Sequence, residues 1–219
     1  GTITVDNKTT NSYIGSDGNV YPVKENINMG LPKFIIPNLT NKGNLDIGNS
    51  SFSIIVDAQY DKISIGPNGN LTFTPPANGI LRVVVNAIDC KGDINITDNG
   101  GKVYLFVKDY AIMQTPHSNS SINLVIFLGN YDANGNYILD SNGFSGEFQT
   151  KGNGSFDGYI YGPKAIISHN SHTTINGSII CDTLDLSKLF TVNYVPFNSS
   201  FDFSNILILG YKKSLYSNN

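Results

Sequence analysis

The 219-residue chain is long enough for one domain with a substantial core. Only 14% of its residues are charged, its net charge is −3, and Arg82 is its only arginine. Nucleic-acid binding depends on clustered Lys and Arg side chains that displace counterions, so the composition argues against that class of function. The sequence contains no signal peptide, and no apolar run reaches the roughly 18 residues of a membrane span.

Residues 1–50 are polar and rich in turn-forming residues. The run Phe34 to Ile36, between Pro32 and Pro37, indicates an extended segment that lies across an end or a flank of the core. We interpret residues 1–50 as a capping region, with a functional insertion as the alternative. Because the chain opens abruptly on a strand-like stretch, we expect it to be a fragment from which a targeting or anchoring segment was cut away.

Short apolar runs recur from about residue 51 onward. Such runs start at Leu81, Val103 and Leu124, at nearly equal intervals along the chain. Alternation places Leu81, Val83 and Val85 on one face of a strand, and the residues after Val103 follow the same pattern. A recurrence of this kind predicts stacked strands.

The stretch from Gly152 to Leu186 contains its own repeat. The residues Phe156-Asp157-Gly158-Tyr159-Ile160 recur further along as Ile175-Asn176-Gly177-Ser178-Ile179, and the same offset pairs Ala165 with Leu184 and Ile167 with Leu186. A period of roughly 20 residues is typical of a β-solenoid, in which each coil buries its apolar face only by stacking on its neighbours.

We therefore predict an all-β fold, a right-handed parallel β-helix or β-solenoid with coils of about 20 residues, spanning residues 51–210. The segment Asp182 to Phe190 could form at most one short turn of helix. The apolar run Phe201 to Leu209 would cover the last coil, and the tail 211–219 would be frayed.

The repeat carries a resemblance to a known family. Its motif, Phe156-x-Gly158-x-Ile160-Tyr161-x-Pro163-x-Ala165 followed by Gly-x-Ile-Ile at Gly177 to Ile180, resembles the C-terminal β-helical domain of type IV pilus-associated (PilX-like) minor pilins and related bacterial surface proteins. A similar signature occurs in Gram-positive surface adhesins, and the family usually has Ala where this chain has Gly162. The run Gly100 to Val107 is similar to a second family block.

The resemblance implies a structural or adhesive subunit of an extracellular bacterial appendage, a minor pilin or pilus-tip subunit. Its partners would be other pilin subunits and a host-surface or matrix ligand, and it would meet a membrane only through a hydrophobic N-terminal helix preceding Gly1. The alternatives are a cell-wall-anchored adhesin or carbohydrate-binding module and a β-helical polysaccharide-active enzyme. Such an enzyme needs paired carboxylates, and the pattern does not bring Glu147, Asp157, Asp182 and Asp185 together.

The largest interruption of the repeat, residues 130–151, predicts a projecting loop or hairpin, and such inserts often lie on the binding face of a solenoid. Asp132, Asn134, Asn136 and Asp140 have the oxygen spacing of the start of a calcium loop. The match lacks the Gly at the sixth position and the bidentate Glu at the twelfth, so an ordinary Asn-Gly turn is the favoured alternative. No other cofactor is predicted.

Two cysteines and three histidines complete the candidate residues. Cys90 and Cys181 would lie about four coils apart, roughly 19 Å at strand spacing, which favours two buried thiols over a disulfide. His169 and His172 lie three residues apart in a predicted turn, and His117 lies elsewhere. They are interpreted as solvated loop residues, with a zinc site as the alternative.

Overall fold

A computed structural model describes residues 12–14, 20–22, 31, 33–113, 123–152, 154–169, 172–186 and 190–195. The chain divides into two compact units, residues 1–33 with 208–219, and Phe34–Leu207. None of the described residues is helical, and the described part has no helix long and apolar enough to cross a membrane. The predicted cap Phe201 to Leu209, the tail 211–219 and His117 lie outside the described residues.

The described part contains fourteen strands. In the first unit, β1 and β2 pair as an antiparallel hairpin. The strands of the second unit pair in parallel. The strands are β1 (Ser12–Ile14), β2 (Val20–Pro22), β3 (Asn44–Gly48), β4 (Ser51–Ile54), β5 (Ala58–Ile65), β6 (Asn70–Phe73), β7 (Ile80–Cys90), β8 (Asp93–Ile96), β9 (Lys102–Met113), β10 (Leu124–Leu128), β11 (Glu147–Thr150), β12 (Gly154–His169), β13 (Thr173–Leu186) and β14 (Phe190–Tyr194).

The second unit is a parallel β-solenoid of about six turns, with a spacing of roughly 21 residues. Its large sheet has the order β14-β13-β12-β10-β9-β7-β5-β3, and β11 pairs with both β9 and β12. The strands β4, β6 and β8 form a smaller parallel sheet beside it. The prediction of an all-β solenoid is confirmed, and the observed spacing agrees with the predicted coil length.

The register confirms the recurrence found in the sequence. Leu81 pairs with Val103, which in turn pairs with Leu124. The inward residues of these strands have almost no exposed surface and belong to one apolar core that runs through the solenoid. Burial of this row stabilises the stack, since each coil leaves its apolar face open until a neighbour covers it.

The repeat within Gly152 to Leu186 is confirmed in its first half and wrong by two residues in its second. Phe156 pairs with Ile175 and Gly158 with Gly177, as predicted. A register shift between Gly162 and Ile166 then leaves β12 with two extra residues. Leu184 therefore pairs with Ile167 and not with Ala165. Because a bulge bends the strand that carries it, we call the position of this register shift, and the aligned positions in the neighbouring coils, a corner of the solenoid.

The boundaries of the solenoid also differ from those expected. The first strand of the large sheet is β3, which precedes residue 51, because Leu45 and Ile47 pack against the interior core. The segment Asp182 to Phe190 is strand as far as Leu186, and strand resumes at Phe190 in β14. The insert, which we now define as residues 129–146, is shorter than predicted because β11 belongs to the sheet and Phe148 is fully buried.

Candidate binding face

The outward side chains in the middle of the large sheet are apolar, where an exposed sheet face would be polar. Val84, Phe106, Phe127 and Tyr161 pair in succession across β7, β9, β10 and β12. The rings of Phe106 and Phe127 stack with centroids 4.9 Å apart and an interplanar angle of 14°. We call this second apolar cluster the aromatic layer: Phe34, Val84, Tyr104, Phe106, Val125, Phe127, Tyr159 and Tyr161.

The segment 34–40 covers the aromatic layer through Phe34, Ile36 and Leu39. Phe34 is only 3% exposed, and its ring centroid lies 5.2 Å from that of Phe127. The next side chain, Ile35, is 51% exposed, as expected where an extended segment turns alternate residues outward. The segment predicted to lie across an end or a flank of the core thus packs through Phe34 on the outward face of the large sheet, which is a flank of the solenoid.

The insert is anchored to the same aromatic layer. The ring of Tyr131 packs edge-on against the ring of Phe34, with centroids 5.2 Å apart, and the ring centroid of Tyr137 lies 4.6 Å from that of Tyr131. Burial raises the pKa of the Tyr131 hydroxyl above its ordinary value. The backbone N–H of Ile138 donates to the Asn130 carbonyl oxygen at 2.9 Å. The Tyr131 ring thus ties the first arm of the insert to the aromatic layer, and the Tyr137 ring and the Ile138 hydrogen bond tie the second arm to the first.

Two tight loops of the same design form the tip of the insert. Oδ1 of Asp132 accepts the backbone N–H groups of Asn134 at 2.9 Å and Asn136 at 2.8 Å. Asp140 repeats the arrangement further along the insert, with the N–H groups two and four positions beyond it at 2.8 and 2.9 Å. These hydrogen bonds stabilise the ionised carboxylates and lower the pKa of both side chains. We call Asp132 and Asp140 the insert aspartates.

This arrangement places the four calcium candidates in two separate loops. The insert aspartates each direct one carboxylate oxygen at their own backbone, and Nδ2 of Asn136 lies 3.4 Å from Oδ2 of Asp132. Among the described residues, no group of three or more His, Cys, Asp or Glu side chains could hold a metal ion. The calcium site stays a prediction, and the Asn-Gly turns that were its alternative are present at both positions.

An apolar pair lies between the two loops. Ile138 and Leu139 are 49% and 50% exposed. Beside them, the insert and the corner of the solenoid enclose a cleft of about 310 Å³. The residues that line the cleft are Lys108, Asp109, Tyr110, Asn130, Ile138, Leu139, Asp140, Gly146, Glu147 and Ile166.

Cys90, Cys181 and His172 are not among the residues that line the cleft. Cys90 and Cys181 are both free thiols, on β7 and β13 of the large sheet. Burial raises the pKa of the Cys90 thiol to about 12, and its Sγ donates to the Gly92 carbonyl oxygen. His169 is the last residue of β12, and His172, which directly precedes β13, is exposed.

Three of the four acids considered as catalytic candidates form a hydrogen bond or an ion pair, each with a different residue. Asp157 accepts a hydrogen bond from Asn176, and Asp182 forms an ion pair with Lys164 at 3.0 Å. Oε1 of Glu147 accepts the Ser168 hydroxyl at 3.0 Å. Asp185 is exposed near the last coil. Asp157, Asp182 and Glu147 are therefore bonded to three different neighbours.

A family model described as Domain of unknown function (DUF7305) matches residues 59–197, more than half of the chain. The chain belongs to this family. No curated protein and no solved structure matches the chain. The matched range begins in β5 and ends beyond β14, so it contains the insert and the strands beneath the aromatic layer. Phe34 lies outside the range, although it covers that layer.

Proposed function

We propose that the chain is a non-catalytic structural or adhesive subunit of an extracellular bacterial appendage, a minor pilin or pilus-tip subunit of a type IV pilus. The observation that carries the proposal is the combination of a continuous parallel stack with one enlarged, tightly anchored corner. A solenoid of this kind supplies a rigid support, and recognition can then reside in a loop that needs no ordering on binding. The assignment to a bacterial appendage is based on the motif that runs from Phe156 to Ala165, which resembles a motif of minor pilins.

The structural features fit recognition by surface complementarity. The insert aspartates and the Tyr131–Tyr137 pair fix the loop conformation before a partner arrives. Binding then costs little conformational entropy, which is the main benefit of a preorganised surface. The exposed pair Ile138 and Leu139 supplies apolar area for contact. Partners would be neighbouring pilin subunits or a host-surface or matrix ligand.

The proposal is tested by locating the protein on cells of its native source. Antibodies against the purified chain are used for immunogold labelling of wild-type cells, of a deletion strain for this gene, and of a strain that assembles no pili. We expect label on filaments of wild-type cells only, and reduced surface attachment in the deletion strain.

Other labelling patterns would contradict the proposal in distinct ways. Label spread over the cell wall that persists without pili would place the protein among wall-anchored adhesins. Label confined to the cytoplasm would remove both surface interpretations. Release of reducing sugars from a polysaccharide panel by the purified chain would establish a carbohydrate-active enzyme.

A further inference from the structure

The cleft beside the insert lies at one corner of the solenoid where successive coils carry extra residues. The register of β7 with β9 shifts just after Val85, and the residues that face this shift include Lys108 and Asp109. The next coil extends the same corner by the whole insert, residues 129–146. The cleft therefore lies between residues of β9, β11 and β12 on one side and the insert on the other.

The apolar rim of the cleft is held in its exposed position by the backbone. The N–H of Ile138 donates to Asn130, and the N–H of Asp140 donates to the Phe144 carbonyl oxygen at 2.7 Å. Ile138 is one of these two fixed points and Leu139 lies directly between Ile138 and Asp140, so the backbone that carries both exposed side chains is held on either side. Two adjacent aliphatic side chains, each about half exposed, give a partner apolar area to bury.

The polar lining of the cleft has a clear charge preference. It carries three carboxylates, those of Asp109, Asp140 and Glu147, against the single ammonium group of Lys108. Asp140 is held ionised by the backbone N–H groups of its loop, and Glu147 keeps one hydrogen bond from Ser168. A cationic group that enters the cleft gains attraction from this excess, whereas an anionic group is repelled.

We propose that the cleft and its apolar rim form a docking surface for a polypeptide partner that presents a Lys or Arg side chain beside an aliphatic one. The cationic head lies among Asp109, Asp140 and Glu147, and the aliphatic neighbour packs on Ile138 and Leu139. Arg suits the site because its planar head can bond two carboxylates while its stem stays on apolar surface. This surface rests on the proposed function and deepens it by giving the chemistry of the partner.

The test uses short peptides on the purified, isotope-labelled chain. Ac-Leu-Arg-Leu-NH2 is titrated while backbone N–H resonances are followed by NMR, with Ac-Leu-Glu-Leu-NH2 as the charge-reversed control. We expect saturable shifts for Lys108 to Tyr110, Ile138 to Asp140 and Glu147 with the Arg peptide. The Glu peptide should leave these resonances at most weakly shifted.

Matched variants separate the two parts of the surface. Glu147→Gln keeps an acceptor for Ser168 but removes a charge, and we expect the Arg peptide to bind about two- to fivefold more weakly. Leu139→Ser should weaken binding about fivefold by removing apolar contact. The controls are Asp98→Asn and Ile55→Ser, which change an exposed acid and a 61% exposed aliphatic residue away from the cleft. Both should bind as the wild type does.

Several outcomes would overturn the docking surface. They are equal shifts with both peptides, shifts elsewhere on the solenoid, and Glu147→Gln binding as tightly as the wild type. Shifts of the cleft resonances that grow with protein concentration alone would identify a second copy as the occupant. Shifts with N-acetylglucosamine but not with the Arg peptide would identify a sugar site. The peptide result does not depend on where the protein resides, so failure of the labelling experiment leaves it intact.

Discussion

The close stacking of Gly177 on Gly158 gives the sharpest test of the coil register. A Cβ atom on Gly177 would meet the Gly158 carbonyl oxygen, far inside the 3.0 Å that real Cβ atoms essentially never cross. Gly177 is also held from the other side, since the Val195 N–H donates to its carbonyl oxygen at 2.9 Å. In Gly177→Ala, the neighbouring strand must therefore move away and loosen its hydrogen bonds.

The expected cost follows from those contacts. Weakening two or three ladder hydrogen bonds at about 1 kcal/mol each, together with a strained backbone, gives about 3–4 kcal/mol. Gly158→Ala should cost less, because its Cβ would lie 2.8 Å from the Leu124 carbonyl oxygen. Gly43→Ala should cost about 1 kcal/mol, because Gly43 has a φ of +75° but open space around it.

The assay is urea denaturation followed by circular dichroism, with the free energy of unfolding compared among the three variants and the wild type. A domain of this size has a total stability of about 5–15 kcal/mol, so the differences are measurable. If Gly177→Ala does not fold, the loss is at least as large as argued, and Gly158→Ala still reports on the stack. Equal losses for Gly177→Ala and Gly43→Ala would refute the stacking of the two glycines.

Three further predictions follow from the aromatic layer, the buried thiol and the insert. Phe34→Ala should lower the free energy of unfolding by about 3 kcal/mol in urea denaturation, whereas Ile35→Ala, at an exposed neighbour, should be nearly neutral; equal effects would contradict the burial of Phe34. Iodoacetamide at pH 8 should modify Cys181 faster than Cys90 in the folded protein, as measured by mass spectrometry, because burial raises the pKa of both thiols but Cys90 is 1% exposed and Cys181 is only partly buried. Equal rates would contradict the deeper burial of Cys90. The insert aspartates should titrate below the ordinary pKa of about 3.9 in carboxyl NMR spectra. The two ionised carboxylates contribute fully to the free energy of unfolding above that ordinary pKa, and this contribution is lost as the pH falls through their lower pKa in the folded state. A measured pKa at or above the ordinary value would contradict the hydrogen bonds from the backbone N–H groups.

The solenoid could be predicted because its determinants are local and repeated. Each coil has apolar residues at alternate positions, and the next coil repeats the pattern at nearly the same interval. The pairing of Leu81 with Val103 and of Val103 with Leu124 could therefore be predicted from the spacing alone. The pairing of Ala165 with Leu184 failed for the complementary reason. A bulge changes the register by two residues at a corner. Pro163 lies in that stretch, but its presence does not indicate how many extra residues the bend contains.

The aromatic layer was not predicted, although it had a signal in the sequence. Tyr104, Phe106, Val125 and Phe127 occupy outward positions where alternation calls for polar residues, so the strands form continuous apolar runs. Such runs indicate burial on both faces. The sequence does not state which segment covers the second face, because Phe34 reaches Phe127 across a long stretch of intervening chain.

The tip of the insert is determined by contacts within its own sequence, whereas its anchor depends on a distant segment of the chain. The tip is local, since the same aspartate-capped loop occurs twice in close succession and each Asp caps its own loop. The anchor is non-local, since Tyr131 is held by Phe34. A partner that binds the tip therefore meets a surface whose orientation depends on a segment outside the matched family range. Loss of Phe34 should disturb the position of the insert while both capped loops remain formed, because their hydrogen bonds lie within the loops themselves.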